Sequence, residues 1–206
     1  MKLNDFLSTF KLTSQNKEYS RKLDEVGYFA LQNVPDLKEL LSDLGGAVFE
    51  KGLLKIHTTG SSHLWTNLTF EFFKKYKVNS YCFAFDWTGR QYAINSFDGK
   101  RFILMLDSGT AEAYKLEADI ESFLNEELEE FKEGVLENRK FSPLAEKFGD
   151  LPFNKCYGFK KPLFLGGKDE VENLEIVDLE VYWELNRQIY EKTKNLPPDT
   201  KVDFSI

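Results

Sequence analysis

Histidine and cysteine are scarce in this 206-residue chain, with two of each. His57 and His63 lie six apart with a loop glycine between them. That spacing fits no HExxH pattern and no tight grouping of His, Cys, Asp or Glu ligands. No metal centre and no cofactor are expected. Cys82 and Cys156 form no CxxC, so a reducing cytosol fits better than a disulfide framework. Each reads as a small buried apolar residue. No run reaches about 18 apolar residues, which argues against a membrane-spanning helix. The start, MKLNDFLSTFKL, lacks the continuous apolar stretch of a secretory signal. The expected location is cytoplasmic.

Catalytic signatures are missing as well. There is no GxSxG, no Cys–His signature and no GxGxxG. Gly166-Gly167-Lys168 would suit the end of a phosphate loop, but Pro162 stands where glycine is needed and Asp169 where Ser or Thr is needed. Basic charge is also short: 27 Lys and Arg against 34 Asp and Glu give a net charge of −7. Phosphates would be repelled, so nucleic acid is not the expected ligand. A basic protein partner is compatible with that charge.

What the chain has in quantity is aromatic side chains: 19 Phe, 9 Tyr and 3 Trp. They argue for a well-packed core containing a sheet. Residues 1–45 read as an N-terminal helical cap, with Asn4 or Asp5 capping a first helix and Asp36 a second, and residues 46–206 as the main domain. Short strands are expected at 47–49 and 53–57 around Gly52, then a helix over 63–76 with Leu64, Trp65, Leu68, Phe72 and Phe73 on one face. Strands at 81–85 and 91–94 are joined by the turn Asp86-Trp87-Thr88-Gly89-Arg90. Strands at 101–106 and 112–116 turn around Gly109. Helices are expected at 118–132, 143–148 and 179–194, the last capped by Asp178 and turning Tyr182, Leu185 and Ile189 inward. Residues 157–165 read as extended, and 202–206 as a last strand. The fold class is α+β: a mostly antiparallel sheet of five or six strands flanked by helices.

Carboxylates concentrate in residues 117–133, which hold eight of them against one base, Lys132. Either this is a solvated helix face, or Glu126, Glu127 and Glu130 belong to a negative strip that steers a basic partner. Asp86 and Arg90 flank a tight turn where they can pair. Trp87 and Trp183 are either core or exposed interface anchors. Gly166 and Gly167 allow a sharp exit from the chain before them. They leave Lys168, Asp169 and Glu170 on a surface loop suited to recognition.

Four segments together carry a resemblance: GGAVFEKGLLKIH at 45–57, FAFDWTGRQYAI at 83–94, ILMLDSGTAEAYKL at 103–116 and YGFKKPLFLGGKDEVENLEIVDLEVYW at 157–183. Over roughly residues 44–202 the chain resembles the immunity proteins that protect bacteria from DNase effectors of the type VI secretion system, in their C-terminal domain formerly of unknown function. Two departures stand out. The family commonly has Gly where this chain has Ala111, and about 45 residues precede the resemblance where many relatives have a larger N-terminal domain.

The resemblance implies a non-enzymatic inhibitor, active as a monomer or weak dimer, that binds a cognate toxin, expected to be a basic nuclease. Asp86, Trp87, Arg90, Glu126, Glu127, Glu130, Lys168, Asp169 and Glu170 are the candidate contacts. Gly52, Trp65, Gly89, Gly109, Gly166, Gly167, Asp178, Tyr182 and Trp183 form a structural signature. Two alternatives stay open: a metal-dependent hydrolase using Asp86 or Asp169, and a sensor with an apolar pocket beside Trp65 or Trp183.

Overall fold

Short apolar runs separated by tight turns in the middle of the chain build one long antiparallel meander. A computed structural model describes residues 1–16, 34–97, 100–128, 132–197 and 200. The strands are β1 (Leu12–Gln15), β2 (Ala47–Phe49), β3 (Leu54–Ile56), β4 (Ser80–Asp86), β5 (Gln91–Phe97), β6 (Lys100–Asp107) and β7 (Glu112–Leu116). They lie side by side in chain order, and every neighbouring pair is antiparallel. The sheet has seven strands rather than the five or six expected. The extra strand is β1, which comes from the N-terminal segment and pairs Leu12 with Phe49 and Gln15 with Ala47.

Helices cover both faces. On one side lie α1 (Asn4–Thr9), α2 (Pro35–Leu44) and α4 (Ile120–Ser122), which runs on into a π-helical turn, Phe123–Glu127. Phe6, Phe10, Leu37, Leu40, Ile120 and Phe123 from this side meet Phe83, Tyr92, Ile94 and Ile103 of the sheet. On the other side, α3 (Thr59–Phe72) and α7 (Leu179–Thr193) bring Trp65, Phe70, Leu179 and Trp183 against Cys82, Phe85, Ala93 and Leu104. Successive strand residues point to opposite faces, so burying both faces turns β4 and β5 into near-continuous apolar runs. A bulge between Cys82 and Ala84 lets Phe83 and Ala84 both join the first cluster. Each fully buried Phe contributes about 1.5–3 kcal/mol by leaving water.

The C-terminal third adds α5 (Lys132–Leu136), α6 (Asn138–Phe148) and a second sheet of two antiparallel strands, β8 (Lys155–Phe159) and β9 (Leu174–Asp178). Asp178 caps α7 as expected, accepting from the amides of Glu180 and Val181 at 3.1 and 3.3 Å.

Several expectations need correction. The N-terminal 45 residues are not helix alone, since they supply β1. Asp36 does not cap α2: Pro35 occupies the first turn, where its missing N–H costs nothing, and Asp36 pairs with Arg101 at 2.6 Å. Pro143 lies inside α6, not near its start. Residues 163–165 form a 3-10 turn, not a strand. On α7, Leu185 faces solvent at 46% exposure, while Trp183 and Asn186 turn inward beside Tyr182. The expected strand at 202–206 lies outside the described residues. Among the described residues, no helix is long and apolar enough to cross a membrane.

Candidate functional site

The turn between β4 and β5 is the hub of the C-terminal third. Gly89 takes φ +86°, and a side chain there would come within 2.8 Å of Leu179 and 3.1 Å of the Cys156 sulfur. Only glycine serves both needs. Asp86 is fully buried. It accepts from the Thr88 amide (2.9 Å), the Thr88 hydroxyl (2.8 Å), the Arg90 amide (3.1 Å), Arg90 Nε (2.6 Å) and the Tyr92 hydroxyl (3.0 Å). Burial opposes the Arg90 charge, yet Asp86 and nearby anions hold its pKa above the usual guanidinium value.

From this turn, contacts radiate outward. Trp87 Nε1 donates to the Leu136 carbonyl at 2.7 Å and Arg90 Nη2 to the Val135 carbonyl at 2.7 Å, which satisfies the end of α5. The Tyr157 amide donates to the Trp87 carbonyl at 2.8 Å. Trp183 Nε1 donates to the Gly89 carbonyl at 2.7 Å. The turn therefore ties β8, α5 and α7 to the main sheet.

The 157–178 segment folds back on itself. Asn173 clamps it, accepting from the Lys161 amide at 3.0 Å and donating to the carbonyls of Lys161 and Lys168, both at 2.9 Å. Gly109 sits under this loop: its carbonyl accepts from the Leu163 amide at 2.8 Å, and a side chain at Gly109 would meet the Tyr182 hydroxyl at 2.6 Å.

These parts converge on one cleft of about 420 Å³. Its walls include Thr88 and Arg90 from the hub, Asp107 from the β6–β7 turn, Glu133 and Glu137 from the α5–α6 junction, and Asp169 from the loop. Four segments distant in sequence thus meet at one place. Glu137 stands at φ +52° between α5 and α6. Its carboxylate lies 3.4 Å from Arg90 Nη1 and accepts from Lys140 Nζ at 2.9 Å. Lys140 Nζ also reaches both Asp169 oxygens, at 2.8 and 2.9 Å. Burial raises the Asp107 pKa, and its Oδ1 accepts from the amides of Gly109 and Thr110 at 2.7 and 3.3 Å. Asp107, Glu133, Glu137 and Asp169 thus outnumber the cations that reach them, Arg90 on Glu137, Lys140 on Glu137 and Asp169, and Arg139 on Glu133. A Lys or Arg side chain entering it would find several carboxylate acceptors.

The expected contact residues divide. Glu126, Lys168, Asp169 and Glu170 are exposed. Asp86 and Trp87 have no exposed surface and Arg90 is 9% exposed. Asp86 and Trp87 lie beneath the surface, because the turn that presents them is covered by α5 and β8, while Arg90 reaches the wall of the cleft. Glu130 lies outside the described residues, and only the backbone of Glu127 is described. Part of the acidic strip serves the fold. Asp119 caps α4 through the Ser122 amide at 2.9 Å, and Glu121 accepts from the Lys2 amide at 2.9 Å. Of the structural signature, Gly52 is buried, Trp65 meets Trp183 edge-on with ring centroids 5.9 Å apart, and Gly166 takes φ +75° with Gly167 behind it. Reading residue by residue missed Glu133, Glu137 and Lys140 as site residues. Glu133 counts among the acidic run, but no local pattern marks Glu137.

No group of three or more His, Cys, Asp or Glu among the described residues is arranged to hold a metal ion. His57 Nδ1 lies 3.1 Å from the Ser61 hydroxyl and its Nε2 2.9 Å from Gln91 Oε1, an outline of a nucleophile and base. Ser61 is nevertheless engaged in a capping box with Thr58 at the start of α3. Burial lowers the His57 pKa to about 4. The cleft beside Trp65 measures about 130 Å³, below the roughly 300–1,000 Å³ of small-molecule sites.

Residues 117–190 match the family model of the T6SS immunity protein Tdi1, C-terminal. Over these residues the chain is similar to the type VI secretion immunity proteins. The Tdi1-type segment supplies α5, α6, both strands of the small sheet and most of α7, hence the acidic walls at Glu133, Glu137 and Asp169. It begins later than the resemblance did: residues 1–116, rather than about 45, lie ahead of it. The crystal structure of Atu4351 from Agrobacterium tumefaciens is similar to the whole arrangement, with a TM-score of 0.66 and 15% identity over 91% of this chain and 89% of that one. The likeness shows a shared fold. No curated protein matches the chain.

Proposed function

We propose that this chain is a non-enzymatic, cytoplasmic immunity protein that binds a cognate secreted toxin and blocks its active site or substrate groove. The toxin is a basic nuclease, and the inhibitor acts as a monomer or weak dimer. The observation that carries this reading is the coincidence of the Tdi1-type segment with the acidic walls of the cleft. A nuclease must be basic where it grips DNA, and carboxylates at Glu133, Glu137 and Asp169, with Glu126 and Glu170 exposed in the same segment, complement such a surface, while the exposed Lys168 beside Glu170 supplies a donor. Asp86, Trp87 and Arg90 hold the walls in register.

Growth of a susceptible host tests the proposal. Cells making the toxin encoded beside this gene should die alone and grow when this chain is co-expressed, and the two proteins should co-purify. Continued killing together with separate purification would overturn it.

A further inference from the structure

The small sheet has one covered face and one half-open face. Alternate residues point opposite ways. On one face Gly158 is pressed against α7, so closely that a side chain there would meet the Tyr182 ring at 2.6 Å. On the other, Tyr157, Leu174 and Ile176 face α6, which covers only part of them. A groove of about 670 Å³ remains. Leu144, Tyr157 and Leu174 are buried along it, while Phe148, Val171 and Ile176 are 56%, 42% and 46% exposed. Single exposed apolar residues are ordinary, whereas several lining one groove mark an interaction site.

The charges around the groove describe an occupant. Lys140 lines it, and the same ammonium bonds Glu137 and Asp169, which line the acidic cleft. Groove and cleft are therefore neighbours separated by one ion-paired ridge. The α6 side of the groove carries Arg139 and Lys147, and Glu172 lines the groove as well. Charges of both signs at fixed places favour one orientation of whatever lies between them.

We infer that the groove seats an apolar segment of the toxin, with a Lys or Arg of the same segment crossing the ridge into the acidic cleft. This rests on the reading of the chain as a toxin inhibitor. Apolar anchors in the groove hold the complex together, and the cleft fixes its register. The whole groove lies within the Tdi1-type segment.

Calorimetric titration of the full chain with a catalytically inactive form of the neighbouring toxin tests the inference. Ile176→Asp and Phe148→Glu should each weaken binding at least ~100-fold. Val78→Asp, at a position 68% exposed and away from the groove, should stay within about threefold of the parent. Groove variants that bind like the parent would overturn the groove while leaving the inhibitor reading intact. A parent chain that binds no toxin would sink both. A parent dimer that the groove variants convert to monomer would assign the groove to a second copy instead. If a variant misfolds, amide exchange of the parent complex decides: protection at 138–148 and 174–178 is required, and its absence overturns the inference.

Discussion

Arg90 Nε donates to Asp86 Oδ2 at 2.6 Å where Asp86 has no contact with water. Removing one member of a buried ion pair leaves the other uncompensated, at a cost of about 3–5 kcal/mol. Asp86→Ala also frees the Thr88 and Tyr92 hydroxyls and two turn amides. Urea denaturation should show a loss at the upper end of that range. A loss under about 1 kcal/mol would mean the turn is not the hub described here.

Ala111 occupies φ +59°, a conformation that costs an L-residue roughly 1–2 kcal/mol and glycine little. Glycine gives some of this back through a freer unfolded chain. Ala111→Gly should stabilise the protein by roughly 0.5–1 kcal/mol, raising Tm by a few degrees. A lower Tm would show that the methyl packs better than its backbone suggests.

The meander could be read from sequence because its turns announce themselves: Asp86 to Arg90 and Asp107 to Thr110 separate short apolar runs rich in aromatic and branched residues. The Asp86–Arg90 pair and the Asp178 cap were readable too, since each depends on residues close in the chain. Strand β1 was not. Leu12–Gln15 is short and wholly exposed, and its partner Ala47–Phe49 lies far along the chain. Strand β9 was hidden because Glu175 and Ile176 both face solvent, which blurs alternation. The acidic cleft escaped for a similar reason. Glu137 and Asp169 meet only through Lys140 and the fold-back held by Asn173, and no local spacing encodes that meeting.

His57 should impose an acid sensitivity. Its folded pKa is lowered by burial from 6.5 to about 4, so the folded state favours neutral imidazole. The stabilisation is fully present above pH 6.5 and is lost as pH falls from 6.5 toward 4. Across that window the loss is about 3 kcal/mol. Urea midpoints for the parent and His57→Gln, measured between pH 7 and pH 4, should converge as pH falls. Parallel curves would show that His57 does not titrate differently on folding.

The most direct measurement is stoichiometric inhibition. Purified chain is titrated into the purified neighbouring toxin while DNA cleavage is followed. Cleavage should fall in proportion and vanish near one equivalent, with the chain itself unchanged. Undiminished cleavage in the presence of a large excess would contradict the account.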